Sequence, residues 1–213
     1  LFVQRLDHEI KNPLTILGLG IVNLLNNDVL DDTDHKSLER MQNQVGRLSQ
    51  LVVDLRALTE LEDRVLERST VDLQSVLQLA IETVTISHKS RADIHLTIQE
   101  IPWSVGYIIG DPDLLSIAFT NLLNNALKFT PITGNIEVKL TDSGQFAIVE
   151  IADNGIGIPS TDAPYVFEEL YRASNAGRMQ GSGMGLSIVH RIIKLHQGDI
   201  QLHSREGHGT LIT

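Results

Sequence analysis

Asp111-Pro112-Asp113-Leu114-Leu115-Ser116-Ile117-Ala118-Phe119-Thr120-Asn121-Leu122-Leu123-Asn124-Asn125-Ala126-Leu127-Lys128-Phe129 carries two stripes at once. Asp111 and Pro112 suit the opening of a helix, which the pattern carries to Phe129. On one side Leu115, Ala118, Phe119, Leu122 and Leu123 recur at helical spacing and can bury into a core. On the other, Asn121, Asn125 and Lys128 fall at i, i+4 and i+7 and share a face. Carboxamide oxygens can complete the shell of a Mg²⁺ that also holds phosphate oxygens, and a lysine can neutralise the phosphates. Taken alone, a solvated helix face explains the polar row equally well.

Two glycine-bearing stretches downstream change that balance. Asp153-Asn154-Gly155-Ile156-Gly157-Ile158-Pro159 follows a strand pattern. An aspartate there can accept a hydrogen bond from an adenine amino group, and the glycines let backbone pass close to a ring. An ordinary Asn-Gly turn is the plainer explanation of that stretch by itself. Gly181-Ser182-Gly183-Met184-Gly185-Leu186 then runs into the apolar helix pattern Ser187-Ile188-Val189. Loop amides and a helix N-terminus together make an anion site suited to a triphosphate. The loop is neither the dinucleotide fingerprint nor the Walker loop, whose Gly-Lys-Ser/Thr ending it lacks. Each element is weak singly, but the three in this order point to a split nucleotide pocket.

The rest of the chain divides in two. Up to about Val65 strand signals are nearly absent. Leu6, Ile10, Pro13, Leu17, Ile21 and Leu24 mark one helix, and Leu38, Met41, Val45, Leu48, Val52 and Leu55 mark a second with heptad spacing. The polar cluster from Asn26 to Asp34 separates them. One helical hairpin cannot enclose a core, so a second copy completing a four-helix bundle is the economical partner, with packing on its own chain as the plain alternative. Beyond the charged joint Glu60–Arg68, short strands are expected at Thr70–Leu73, Ile94–Ile98 and Val105–Ile109, at Ile136–Thr141 and Ala147–Ala152, and at Asp199–Ser204 and Thr210–Thr213. Helices are expected from Leu73 to His88 and from Gly185 to His196, with residues 154–182 as a mobile lid. The domains are therefore placed at 1–66 and 67–213. The class is α+β, a helical hairpin followed by a mixed sheet with helices on one face.

A net charge of −10 disfavours non-specific binding to nucleic acid or anionic membrane by the chain as a whole. With no cysteine, disulfides, thiol catalysis and zinc–thiolate sites are excluded. No apolar run approaches the roughly 18 residues of a membrane span. The ends, Leu1-Phe2-Val3 and Gly209–Thr213, read as mid-element sequence, so a piece of a longer protein is expected. His190, His196, His203 and His208 fit no metal spacing and are assigned surface roles. Trp103 and the tyrosines are too scattered for a nucleic-acid stacking platform.

The hexapeptide His8-Glu9-Ile10-Lys11-Asn12-Pro13 lies on the first helix pattern, ahead of the nucleotide elements. With it, the chain resembles the transmitter core of a two-component sensor histidine kinase over essentially its whole length. His8–Leu14 is similar to that family's phosphoacceptor box, and Asn121–Thr130 to its N box. Asp153–Gly157 and Gly181–Leu186 are similar to its two glycine boxes. Val166-Phe167-Glu168-Glu169-Leu170-Tyr171-Arg172 resembles its F box, with Leu170 where a second aromatic is usual.

The resemblance implies a dimerising hairpin forming a four-helix bundle, then the gyrase-type (Bergerat) α/β sandwich shared with chaperone and mismatch-repair ATPases. It implies His8 as phosphoacceptor and Glu9 as general base. Asn12, one turn beyond His8, would place the water that dephosphorylates a partner, and Pro13 would bend the helix. The nucleotide would be held by Asn121, Asn125, Lys128, Asp153, Gly155, Gly157, Phe167, Tyr171, Arg172, Gly181, Gly183, Met184, Gly185 and Leu186, with Mg²⁺ on Asn121 and Asn125. ATP and Mg²⁺ are the implied cofactors. The implied partners are a second copy and a response-regulator receiver domain met by Thr15, Leu19 and Val22, with neither nucleic acid nor membrane contacted by this segment. A cytoplasmic location is implied, with any membrane anchor in parts of the parent protein outside this sequence. A relative that phosphorylates serine or hydrolyses ATP is set against this, and the acceptor-like His8 on a heptad hairpin disfavours it. A non-catalytic scaffold that binds nucleotide as a switch is the other alternative, disfavoured by the complete set Asn121, Asn125, Asp153 and Gly183.

Overall fold

The computed structural model describes residues 14–22, 24, 32–63, 66–88, 93–100, 103–177, 179 and 181–213. They belong to two units, one comprising Leu1–Arg64 with Arg178–Met184 and the other Val65–Gly177 with Gly185–Thr213.

In the first unit, α1 (14–22) and α2 (Asp32–Asp63) pack where a side chain is missing. A Cβ on Gly18 would lie 3.6 Å from Val45 Cγ1, so the helix surfaces meet there at ordinary van der Waals distance. The heptad pattern of α2 separates into two rows. Leu38, Val45 and Val52 are half-buried, whereas Met41, Leu48 and Leu55 remain 55%, 48% and 42% exposed.

The second unit is built on a five-stranded sheet ordered β2-β4-β5-β7-β6. Its strands are β2 (Asp93–Ile98), β4 (Asn135–Asp142), β5 (Ala147–Asp153), β6 (Leu202–Arg205) and β7 (Gly209–Ile212). β2 runs parallel to β4, and the remaining pairs are antiparallel. Alternation along β4 sets its two faces. Ile136, Val138 and Leu140 are buried, while Glu137 and Lys139 are exposed and Lys139 meets its register partner Glu150 at 3.6 Å. The buried face is covered by α3 (Leu73–His88), α4 (Pro112–Phe129) and α5 (Gly185–Leu195). They contribute Leu77, Leu123 and Val189 among others. Each such side chain stabilises the fold by about 1.5–3 kcal/mol through removal from water.

A separate two-stranded sheet joins β1 (Ser69–Val71) to β3 (Ile108–Gly110). β3 is shorter than the alternation of Val105–Ile109 predicts, because its partner ends early. Asp72, the residue after β1, turns its carboxylate to Gln74 N and Ser75 Oγ and caps α3 instead of continuing the ladder. α4 begins as expected: Asp111, only 1% exposed, accepts from the amides of Asp113 and Leu114, both at 3.1 Å. Among the described residues no helix is long and apolar enough to cross a membrane.

Candidate functional site

The polar row of α4 faces the start of α5. Asn121 Nδ2 donates to the carbonyl of Ile117 at 2.9 Å, a bond that only the amide nitrogen can make. Asn121 Oδ1 is left on the side of Gly185, where a Cβ would sit 3.0 Å from it and 3.8 Å from Asn125 Nδ2. Glycine thus lets the first turn of α5 close over both carboxamides, with the positive end of the helix dipole beside them. Buried Ile188, Val189 and Ile192 hold α5 against the core behind that turn. Neutral, hard amide oxygens fit the donor set of a Mg²⁺ that takes its remaining ligands from phosphates and water. No group of three histidine, aspartate or glutamate side chains able to hold a metal occurs among the described residues.

Lys128 lies in the last turn of α4, its Nζ 4.7 Å from the centre of the Phe129 ring. Burial, reinforced by the guanidinium of Arg172, lowers its pKa to about 8. A partly buried cation that also feels the charge of a second makes a place where a polyanion is welcome.

β5 delivers Asp153 to the far end of α4. Burial raises the Asp153 pKa, opposed by hydrogen bonds from the amides of Gly155 and Thr210. The Gly155 bond measures 2.8 Å. The loop that follows is pinned to α4 by Ile156 N, which donates to Phe129 O at 3.1 Å. Gly157 has φ +64°, and a Cβ there would collide with the carbonyl of Arg205, so only glycine fits. Beside this loop, Thr130 Oγ1 is buried without a hydrogen-bond partner among the described residues.

Residues 154–177 are less irregular than their composition predicts. Short 3₁₀ turns occupy Ala163–Tyr165 and Ser174–Ala176, Phe167 stacks on His190 of α5 at 5.6 Å, and Tyr171 packs on Tyr165 at 5.7 Å. Leu170 is 62% exposed, with φ +64°. Asp162, which sequence reasoning passed over, accepts from Tyr171 and Ser174. Only the folded chain brings those donors to it. His196 likewise has more than a surface role: its ring nitrogens bond Asp111 N and Ile192 O.

The α/β unit therefore brings together Asn121, Asn125 and Gly185 at one point, and Asp153, Gly155 and Gly157 at the C-terminal end of α4. Leu186 is half-buried in the first turn of α5. Gly181, Gly183 and Met184 fall in the segment grouped with the helical unit, where Gly183 has φ +81° and Met184 N donates to Ser182 Oγ at 3.2 Å. On α1, Thr15 and Leu19 are exposed and Val22 is half-buried. His8, Glu9 and Asn12 lie outside the described residues.

Residues 1–64 match the His Kinase A (phospho-acceptor) domain, and residues 110–213 match the histidine kinase-, DNA gyrase B-, and HSP90-like ATPase family. The chain belongs to the sensor histidine kinases of two-component systems, and its α/β unit is their ATP-binding module. Among relatives, it is 33% identical to the drug sensory protein A of Synechocystis over 98% of this chain and 33% of that one. It is also 33% identical to the signal transduction histidine-protein kinase/phosphatase MprB of Mycobacterium ulcerans, over 94% of this chain and 39% of that one. It thus spans well under half the length of either.

Among solved structures, a mycobacterial sensor histidine kinase MprB is 30% identical, with TM-score 0.55 over 68% of this chain and 93% of that one. Full-length ShkA in complex with AMPPNP shares the fold at TM-score 0.70 and 24% identity, over 99% of this chain and 44% of that one. ThkA, in complex with the response regulator protein TrrA, shares it at TM-score 0.68 and 23% identity, over 99% and 59%.

Proposed function

We propose that this chain is the transmitter core of its parent kinase, with residues 1–66 as the dimerising, phosphoaccepting hairpin and 67–213 as the catalytic domain. The α/β unit binds ATP, and the imidazole of His8 attacks the γ-phosphorus. A nitrogen–phosphorus bond forms, the bond from the γ-phosphorus to the bridging oxygen breaks, and ADP leaves. Glu9 takes the imidazole proton. The observation that carries this reading is the meeting of Asn121 and Asn125 with Gly185 at the head of α5, beside a helix that also bears Lys128.

Asn121 and Asn125 would hold Mg²⁺, which supplies charge neutralisation on the phosphates. Lys128 and Arg172 attract the phosphate chain, and Asp153 faces the adenine amino group, with Gly155 and Gly157 giving close approach. Phe167, Tyr171, Gly181, Gly183, Met184 and Leu186 would add further contacts to the nucleotide.

The phosphoryl group then passes from His8 to an aspartate of a response-regulator receiver domain, recognised through Thr15, Leu19 and Val22. Asn12 orients the water that later hydrolyses the phosphorylated regulator. Two relatives support these steps by analogy: the ThkA complex contains a response regulator protein, and MprB is named a kinase/phosphatase. Self-association is favoured by the exposed row Met41, Leu48 and Leu55, which a second hairpin would cover.

The test is incubation with Mg²⁺ and γ-labelled ATP. Acid-labile, alkali-stable label on the chain, absent from His8→Ala, is the expected result. Nucleotide binding without any label, even with native flanking sequence restored, would refute the kinase reading.

A further inference from the structure

Asp162 is 8% exposed, and its carboxylate accepts three hydrogen bonds from one downstream segment. Oδ1 accepts the Tyr171 hydroxyl at 2.9 Å, and Oδ2 accepts both the amide and the hydroxyl of Ser174 at 2.7 Å. On its own side, Asp162 is built into the loop that leaves Gly157, since its amide and that of Ala163 both bond Pro159 O, at 2.9 and 3.1 Å. Arg172 lies between the two anchored residues. Its Nη2 donates to Gly177 O at 3.2 Å, and Asn175 Nδ2 reaches back to Gly157 O at 3.0 Å.

We infer that Asp162 is a positioning residue of the nucleotide site, whose carboxylate holds Tyr171 and Ser174 and so fixes the path of the intervening Arg172 next to the Gly157 loop.

Two features favour this over a passive turn. Residues 171–173 have neither helix nor strand bonding, and turn bonds hold only their ends, Tyr171 N to Glu168 O and Ala176 N to Ala173 O, so side-chain bonds help to set the path between. Leu170, just before them, is in the left-handed region, where a leucine is strained unless its neighbours over-determine it. The Asp162 carboxylate supplies that constraint from one side with three charge-assisted hydrogen bonds. These donors, the Ser174 amide foremost, hold the Asp162 pKa below the usual carboxylate range, so the anchor stays ionised at neutral pH. Asparagine would retain much of the clamp. Its oxygen would accept from Ser174, and its amide nitrogen would donate to the Tyr171 hydroxyl, which accepts as well as donates.

The inference rests on the nucleotide-binding reading, so the experiment measures Mg-ATP affinity of the whole chain by calorimetry, without requiring turnover. Asp162→Ala is expected to raise the dissociation constant about tenfold, and Asp162→Asn at most about twofold. In an Arg172→Ala background, Asp162→Ala should add at most about twofold, the part that runs through Tyr171, because most of its effect runs through that guanidinium. Ser174→Ala removes one hydroxyl from an exposed residue and keeps the test available if the Asp162→Ala chain does not fold. It is expected to weaken binding about threefold in the native background only. Unchanged affinity in these variants, or effects that multiply in full with Arg172→Ala, would overturn the positioning role while leaving nucleotide binding intact. Failure of the native chain to bind Mg-ATP would overturn both.

Discussion

His196 and Asp111 are joined side chain to backbone: the imidazole Nε2 accepts the Asp111 amide at 2.9 Å, and Nδ1 bonds Ile192 O at 2.8 Å. An amide can only donate and a carbonyl only accept, so the ring is the neutral tautomer with its proton on Nδ1. The bond ties the C-terminal end of α5 to the first turn of α4. At the other end of α5, Gly185 meets Asn121 in the middle of α4. The spacing of α4 and α5 is thus fixed at both ends of α5.

Replacing His196 by Phe keeps a ring but leaves the Asp111 amide without an acceptor. A loss of about 1–3 kcal/mol is expected in urea denaturation. His196→Gln, which retains an acceptor, should lose less. Equal stability of His196→Phe and the native chain would remove the bond from any account of the fold.

Lys128 gives a pH signature. With its pKa lowered to about 8, it is largely neutral above that pH in the free protein, and a bound triphosphate restores its charge. Nucleotide affinity should therefore fall as pH rises through about 8, with proton uptake on binding near that pH. Calorimetry in buffers of differing ionisation enthalpy measures the uptake, and Lys128→Met should abolish it.

Two glycines should fail differently. Gly157→Ala forces a Cβ into the Arg205 carbonyl at φ +64°, so destabilisation by about 2 kcal/mol or more is expected in thermal melts. Gly185→Ala begins a helix, where alanine is intrinsically favoured, but crowds Asn121 Oδ1 at 3.0 Å. Its melting should be nearly native and its Mg-nucleotide affinity about tenfold weaker.

The Thr130 hydroxyl, without a hydrogen-bond partner among the described residues, predicts a substitution without penalty. Thr130→Val has nearly the same shape and removes a buried, unpaired polar atom, so stability should stay level or rise by about 1 kcal/mol. A clear loss in chemical denaturation would mean that the hydroxyl has a partner.

The exposed row on α2 predicts self-association. Met41→Glu combined with Leu48→Glu should convert a dimer to a monomer in sedimentation, because burying those charges is unfavourable.

Much of the architecture was legible because its signals are local. The start of α4 follows from Asp111 and Pro112, its buried face from Leu115, Ala118, Phe119, Leu122 and Leu123, and the faces of β4 from strict alternation. The heptads on α2 were visible too, but which of their two rows faces α1 was not. Apolar heptad positions such as Val45 and Leu48 are told apart only by what packs on them: Val45 meets the gap at Gly18, and Leu48 stays exposed. β3 was overlong in prediction because a strand ends where its partner does, at Asp72.

Sequence alone determined the element types, the polar row Asn121, Asn125 and Lys128, and the order of the motifs that defines the family. Tertiary structure decided which groups meet: Gly185 against Asn121, Ser174 on Asp162 and His196 on Asp111. Helical and strand periodicity is written by neighbours a few positions apart. Hydrogen-bond partners and shifted pKa values arise from groups distant in the chain, which only the packed core brings within reach.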